Sequence, residues 1–222
     1  MQNKLAYDTR LSGDSYMDFV LGLIERHGIE SIVETGSYDG LGSSAMLAST
    51  GLPFDTIECH ALNFIATKVN LSGFKNATVH HAYSLPLTEM LEFIDTDEWT
   101  NDPSTMQSIG VKFDHEDPKW YYRHELIDVS TVPQKEGLLM DLIDNDKRQL
   151  VFLDSSGGVG LLEFNAMMAM NTKHLEKKVV MLDDVNHIKH YRSVRLLEDN
   201  GYQIEKSSDG RLVAANLSFK RC

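Results

Sequence analysis

The segment 31–59 constrains the fold of this chain more than any other. An apolar run ends in Glu34, and a helix-like stretch then leads to a second apolar run that ends in Glu58. The turn after the first run is rich in glycine, at Gly36, Gly40 and Gly42. Glycines let a backbone approach a bulky ligand, and an acid at the end of a neighbouring strand can accept both hydroxyls of a ribose. The segment therefore predicts a strand, a turn, a helix and a second strand around a nucleoside ligand.

Strand-like and helix-like runs alternate along most of the remaining chain. Strands are predicted at 32–33, 56–58, 77–80, 149–153, 178–182, 202–205 and 212–219, and helices at about 17–24, 41–50, 62–69, 85–93, 137–143, 161–170 and 188–197. Regular alternation implies a parallel sheet with right-handed crossovers. The Asp209-Gly210 turn between the last two runs is typical of an antiparallel hairpin. We predict an α/β fold with a doubly wound, Rossmann-like sheet of seven mostly parallel strands and a C-terminal antiparallel hairpin.

The alternation breaks at residues 95–133, which we call the insert. The insert is acidic at its start and aromatic later, and it contains both tryptophans of the chain, Trp99 and Trp120. A long connection inside a compact domain is usually functional or disordered, and the aromatic residues argue against simple disorder. We predict a single domain over residues 1–222 in which the insert is a cap over the ligand cleft. A contact in a homodimer is an equal alternative for the insert.

The charge of the chain limits its partners. Asp and Glu outnumber Lys and Arg by 33 to 21, which gives a net charge of −12 and disfavours binding of nucleic acid through its phosphates. No apolar run approaches the roughly 20 residues that span a membrane, and the N-terminus lacks the apolar segment of a signal peptide. The two cysteines, Cys59 and Cys222, suggest no disulfide framework. We therefore expect a cytoplasmic protein with neither a nucleic-acid nor a membrane partner.

The order of these elements resembles that of the class I S-adenosylmethionine-dependent methyltransferases. The run from Glu34 to Gly40 is similar to the family's first motif, acid-x-Gly-x-x-x-Gly, and Glu58 matches the acid that binds the ribose. Tyr83 and Ser84 lie where the family often has Asp-Ser beside the adenine, and Tyr83 departs from that pattern. The resemblance covers nearly all of the chain outside the insert. It implies S-adenosylmethionine as cofactor, with binding residues Glu34, Gly36, Ser37, Gly40, Glu58, Tyr83, Ser84 and Asp154.

Two other classes of protein remain as alternatives. A nucleotide-dependent oxidoreductase or epimerase with NAD would also use a glycine turn followed by an acid. Its fingerprint, Gly-x-Gly-x-x-Gly, differs from the Gly-x-x-x-Gly-x-Gly spacing that starts at Gly36. A non-catalytic cofactor-binding or assembly protein could keep the same fold and present the aromatic insert to a partner.

Acidic residues also follow the fourth and fifth predicted strands, at Asp154 and at Asp183-Asp184. Adjacent strand ends open into one crevice, where three carboxylates repel one another unless a cation lies between them. Oxygen ligands favour Mg²⁺ or Ca²⁺. The arrangement resembles the metal-dependent small-molecule O-methyltransferases, which implies Asp154, Asp183 and Asp184 as ligands of Mg²⁺. The alternative is that the acid pair favours or caps the start of the next helix.

The sequence offers several candidates for the base that would remove the proton from the acceptor hydroxyl. The catechol-type enzymes carry a lysine base shortly after the first acid, but residues 155–158 are Ser-Ser-Gly-Gly. His187 and His190 follow the acid pair, and a histidine of near-neutral pKa can take a hydroxyl proton. We predict His187 and Asp154 as catalytic residues in methyl transfer to a hydroxyl of a small molecule, a natural product or a sugar. The alternatives for the histidines are surface positions at a helix start or ligation of a transition metal.

Overall fold

The computed structural model describes residues 14–113, 116–127, 133 and 135–220. Seven strands form one sheet: β1 (Ser31–Thr35), β2 (Phe54–Glu58), β3 (Ala77–His81), β4 (Gln149–Leu153), β5 (Lys178–Leu182), β6 (Tyr202–Lys206) and β7 (Val213–Lys220). Their order across the sheet is β3-β2-β1-β4-β5-β7-β6. The strands from β1 to β5 are parallel, and β7 is antiparallel to both β5 and β6. The predicted fold class is confirmed.

Helices connect the strands. They are α1 (Asp14–His27), α2 (Ser43–Ala48), α3 (Ala61–Asn70), α4 (Leu87–Thr96), α5 (Glu98–Asn101), α6 (Pro103–Ser108), α7 (Pro118–Leu126), α8 (Leu138–Ile143), α9 (Val159–Met168), α10 (Thr172–Leu175) and α11 (Tyr191–Asp199). In the described part of the chain, no helix combines the length and the apolar character needed to cross a bilayer.

The two central strands, β4 and β5, carry the most apolar sequences of the sheet. All five residues of each strand are buried, as expected for parallel strands that are covered on both faces. The register pairs Thr35 of β1 with Leu153 of β4, so these two strands end side by side. In an open α/β sheet, ligands bind outside the carboxyl ends of the strands where the strand order reverses, which here is between β1 and β4.

The apolar stripe of α3 lies on the outer side of that helix. Leu62, Ile65 and Val69 are 66%, 56% and 65% exposed. The helix instead buries Ala61 and Thr67, because the turn after β1 packs against it. A Cβ atom on Gly40 would lie only 3.0 Å from the Cα of Thr67. The helix is where the periodicity predicts it, but its apolar stripe is not the packed face.

The insert is largely helical in its described part and contains α5, α6 and α7. Three of its acidic residues begin these helices: the side chains of Asp97, Asp102 and Asp117 accept hydrogen bonds from backbone amides of α5, α6 and α7, respectively. A carboxylate at this position satisfies an amide that has no partner within the helix. The acidic start of the insert is thus explained in part by local capping.

Two contacts join the insert to the rest of the structure. The guanidinium of Arg192 in α11 donates to both carboxylate oxygens of Asp97, at 2.6 and 3.0 Å, and lies 4.7 Å from the ring centroid of Trp99. The ring of Tyr122 in α7 covers Gly157, where a Cβ atom would approach within 2.4 Å of the ring. The insert therefore packs directly on the loop that follows β4.

Candidate functional site

A cavity of about 180 Å³ opens at the carboxyl ends of β1, β2, β3 and β4, and we call it the first cavity. Five of the predicted cofactor-binding residues line it: Gly36, Glu58, Tyr83, Ser84 and Asp154. Glu125 and Leu126 of the insert form part of its wall. The structure therefore brings together residues from four strand ends that are distant in sequence.

Gly36 is the point where the loops after β1 and β4 meet. Its φ is +77°, and a Cβ atom there would lie 2.7 Å from the backbone oxygen of Asp154. Such a distance is too short for any side chain, and L-residues rarely adopt this φ. A glycine at this position is thus required both by conformation and by the close approach of the two loops.

Glu58 ends β2 and is only 6% exposed. Its carboxylate accepts hydrogen bonds from the backbone amides of Tyr38, at 2.9 Å, and of His60, at 2.8 Å. Burial nevertheless raises the pKa of Glu58 to about 7, and the nearby charge of Glu125 contributes to the rise. A carboxylate has about four acceptor sites, so two remain for donors in the first cavity.

Glu34, predicted to bind the cofactor, does not line the first cavity. It is fully buried in β1 and accepts hydrogen bonds from the hydroxyls of Ser44, at 2.5 Å, and Thr56, at 2.7 Å. Burial raises the pKa of Glu34 to about 7. The structure thus gives this acid a position under the turn after β1, where it ties β1 to β2 and α2.

Tyr83 and Ser84 follow β3 and are buried in the wall of the first cavity. The Tyr83 hydroxyl donates to the backbone oxygen of Leu126, at 2.9 Å. The tyrosine that departs from the family pattern therefore contacts the insert rather than simply filling the place of an aspartate.

Glu163 is a residue of this site that the sequence analysis missed. It is fully buried in α9, and its carboxylate accepts hydrogen bonds from the hydroxyls of Thr35, at 2.8 Å, and Ser155, at 2.7 Å. Ser84 is a further hydrogen-bond partner, and burial raises the pKa of Glu163. Glu163 thus joins the loops after β1, β3 and β4 beneath the first cavity. A single acid within the apolar run of α9 was the available signal.

A second cavity, of about 240 Å³, lies on the other side of Gly36. Its lining includes Ser37 and Asp39 of the glycine turn and the charged residues Asp154, Asp183, Asp184, Lys189 and Arg211. Gly36, Tyr38 and Asp154 line both cavities. The two spaces therefore meet at Asp154.

Two basic side chains lie among the three aspartates. The ammonium of Lys189 is 2.6 Å from Oδ1 of Asp154 and 3.5 Å from Oδ2 of Asp184. The guanidinium of Arg211 donates to both carboxylate oxygens of Asp183, at 2.7 and 2.8 Å, and is 3.2 Å from Oδ1 of Asp184. Each aspartate thus faces a cation that the chain itself supplies.

The pKa shifts follow from this pairing. Burial alone would lower the pKa of Lys189, but the charges of Asp154, Asp183 and Asp184 outweigh it and raise the pKa, so the ammonium keeps its proton. Burial opposes the ionisation of Asp183, and the hydrogen bonds from Arg211 still hold its pKa below the usual value. Burial raises the pKa of Asp154, with Lys189 acting against that rise.

These residues do not fit the predicted magnesium site. Among the described residues, no group of three or more His, Cys, Asp or Glu side chains is placed to hold a metal ion. Mg²⁺ needs near-octahedral oxygen ligands at about 2.0–2.1 Å. Here the oxygens of Asp154 and Asp183 instead face Lys189 and Arg211 at hydrogen-bond distance. The prediction of Mg²⁺ on Asp154, Asp183 and Asp184 is therefore not supported. Asp184 does not cap a helix either, since α11 begins at Tyr191 after an N-cap at His190.

The two histidines beyond the aspartates differ in environment. His187, the predicted base, does not line the first or the second cavity, and its Nδ1 is 3.3 Å from the backbone amide of Lys189. His190 is fully buried, with Nε2 at 2.9 Å from the backbone oxygen of Leu153. Burial lowers the pKa of His190 to about 3, so it remains neutral. Neither histidine lines the first or the second cavity, whereas Asp154 lines both.

Comparison with known proteins supports the fold assignment. No protein-family model and no curated protein matches the sequence. Among solved structures, a protein described as an O-methyltransferase from Klebsiella pneumoniae is similar at a TM-score of 0.50 and 12% identity, over 97% of this chain and 84% of that one. The cofactor-bound protein Rv0187 from MTB is similar at a TM-score of 0.50 and 12% identity, over 95% of this chain and 82% of that one. The chain has the fold of the class I S-adenosylmethionine-dependent methyltransferases.

Proposed function

We propose that this protein is an S-adenosylmethionine-dependent methyltransferase that acts on a hydroxyl group of a small molecule. The observation that carries the proposal is the meeting of two cavities at Asp154, one beside Glu58 and the other beside the charged cluster. A bisubstrate reaction needs such a junction, because donor and acceptor must be held within reach of each other.

The first cavity suits the methyl donor. The two ribose hydroxyls would donate to the remaining acceptor sites of Glu58, and the ligand would pass the backbone of Gly36, which lines the same cavity. Tyr83 and Ser84 would flank the base in the same cavity. The insert would act as a cap over this ligand, since Glu125 and Leu126 already form part of the wall.

The second cavity suits the acceptor. Its hydroxyl would lie beside Asp154, whose carboxylate accepts the proton as the oxygen attacks the methyl carbon in line with the sulfonium. The carbon–sulfur bond breaks as the carbon–oxygen bond forms, which yields the methyl ether and S-adenosylhomocysteine. We assign the base to Asp154 rather than His187, because Asp154 lines both cavities and His187 lines neither.

Calorimetric titration of the protein tests the donor assignment. S-adenosylmethionine and S-adenosylhomocysteine should bind, and NAD, as the control, should not. Glu58→Ala should weaken binding by an order of magnitude or more, because hydrogen bonds to a charged acceptor contribute about 1.5–3 kcal/mol. Glu136→Ala, an exposed acid outside both cavities, should leave the affinity unchanged. Binding of NAD alone would instead indicate an oxidoreductase or epimerase, and equal affinities of both variants would remove Glu58 from the site.

A further inference from the structure

The strongest inference beyond the proposed function concerns the place where a metal-dependent methyltransferase would hold its divalent cation. We propose that the ammonium of Lys189 takes that place, so that methyl transfer by this protein proceeds without a bound metal ion. The inference rests on the proposed function for its chemical meaning, but its geometry is independent of the acceptor.

The first step of the argument is the position of the charge. The ammonium of Lys189 lies 2.6 Å from the Asp154 carboxylate, 3.4 Å from the Asp154 backbone oxygen and 3.5 Å from the Asp184 carboxylate. A divalent cation bridging Asp154 and Asp184 would need the same space. An ammonium and a metal ion cannot both occupy it, because two positive charges at such a separation repel strongly in a buried site.

The second step is the restraint on the lysine side chain. Lys189 is 8% exposed, and its stem passes over Gly160, where a Cβ atom would lie 2.9 Å from the lysine Cγ. The preceding backbone is also fixed: Ile188 donates to the backbone oxygen of Lys112, at 2.8 Å, and Lys112 donates to that of Asn186, at 3.0 Å. The ammonium is therefore held in place by packing on both its stem and its backbone, unlike a surface lysine that could swing away.

The third step is the charge balance of the cluster. The Lys189 ammonium pairs with Asp154 and Asp184, and Arg211 binds Asp183 through two hydrogen bonds. The two basic groups leave one net negative charge among the three aspartates. Bringing in a dication would require the desolvation of the metal and the displacement of Lys189 into a less favourable position.

In the reaction, a fixed ammonium beside Asp154 supplies positive potential near the acceptor oxygen as that oxygen loses its proton. Preorganised charge of this kind stabilises a developing oxyanion without reorganisation of solvent. Lys189 is in this respect a positioning and electrostatic group, while the proton itself goes to Asp154.

Titration of the full chain with Mn²⁺, monitored by electron paramagnetic resonance, tests the inference without an acceptor. We expect the wild-type protein to leave the free Mn²⁺ signal unchanged up to about 10⁻³ M, the weak end of protein sites for hard divalent cations. Lys189→Gln should bind Mn²⁺, because it leaves Asp154 and Asp184 without the bridging charge. The double variant Lys189→Gln/Asp154→Asn is the matched control and should not bind.

Thermal unfolding supplies a second readout on the same proteins. For Lys189→Gln, Mg²⁺ at about ten times its dissociation constant should raise the Tm by about 3–6 °C, whereas the wild type and the double variant should not respond. Lys189→Arg, which keeps the charge, should also not respond. Cofactor binding is measured separately, so that loss of S-adenosylhomocysteine binding would count against the proposed function and not against the metal inference.

Two results would overturn the inference. One is binding of Mn²⁺ by the wild type at or below about 10⁻⁴ M that Asp154→Asn removes. The other is a folded Lys189→Gln variant that gains neither Mn²⁺ binding nor a metal-dependent rise in Tm. If Lys189→Gln does not fold, the wild type and Asp154→Asn alone decide the question: wild-type binding lost in Asp154→Asn refutes the inference, and absence of binding in the wild type supports it.

Discussion

The pKa of Glu58 leads to a quantitative prediction for the binding of S-adenosylhomocysteine. Only the ionised carboxylate can accept a hydrogen bond from both ribose hydroxyls, and the pKa of this group is raised to about 7 by its burial. At pH 5.5 the ionised fraction would be about 3%, so the dissociation constant should be about 30-fold larger than at pH 8. Below the pKa, each further pH unit should weaken binding about tenfold, which corresponds to about 1.4 kcal/mol.

Two variants isolate the group responsible for this profile. Glu58→Gln removes the titration, so its dissociation constant should be large and should show none of the loss expected between pH 8 and pH 5.5. Glu125→Gln removes a charge that raises the pKa of Glu58, so the transition should move to lower pH while the affinity at pH 8 stays the same. The assay is calorimetry across pH 5.5–8. A wild-type affinity that is constant over this range, or the same transition in Glu58→Gln, would refute the argument.

Three further predictions concern stability, each measured by denaturant unfolding. Gly157→Ala should lower the free energy of unfolding by about 2–5 kcal/mol, because a Cβ atom there meets both a φ of +58° and the Tyr122 ring. Gly210→Ala is the matched control: its φ is +72° but the space around it is open, so only the backbone strain of about 1–2 kcal/mol should be lost. Lys178 is fully buried, and burial lowers its pKa from 10.5 to about 8. The unfolded chain therefore binds more protons than the native protein between these values, and the free energy of unfolding should rise from pH 8 to 10.5 more steeply in the wild type than in Lys178→Met. Asp97→Ala should cost about 3 kcal/mol, because it leaves a partly buried guanidinium without its carboxylate; an effect below 0.5 kcal/mol would mean that the salt bridge does not fasten the insert.

The sheet could be predicted because its determinants are local. Short apolar runs, glycine turns and the Asp209-Gly210 hairpin each act within a few residues, and their order along the chain specifies the topology. The positions of Gly36 and Glu58 beside the first cavity could be predicted for the same reason, since each lies at a fixed offset from the end of a strand.

The environment of each carboxylate could not be predicted in the same way. Lys189 reaches Asp154 across 35 residues, and Arg211 reaches Asp183 across 28 residues from the hairpin. Such pairings depend on how a loop and a hairpin fold back over the sheet, which no spacing in the sequence specifies. The motif also predicts Glu34 as a binding residue, but in the structure its carboxylate is buried and accepts hydrogen bonds from the hydroxyls of Ser44 and Thr56.

The outer face of α3 shows the limit of periodicity as a signal. Leu62, Ile65 and Val69 recur at helical spacing, yet they are exposed, because small residues let the glycine turn pack on the opposite face. Periodicity identifies a helix, but the choice of buried face depends on which neighbour approaches most closely.

The wall shared by the two cavities couples the binding of the two molecules that would occupy them. Gly36, Tyr38 and Asp154 line both spaces, so a molecule in one cavity shapes the surface that the other molecule meets. If a donor and an acceptor occupy the two cavities as proposed, their binding free energies are coupled reciprocally: a donor that strengthens binding of the acceptor is itself bound more tightly, by the same factor, when the acceptor is present. Loading of the protein should then be cooperative between two unlike ligands, and the affinity measured for either one alone would understate its affinity in the ternary complex.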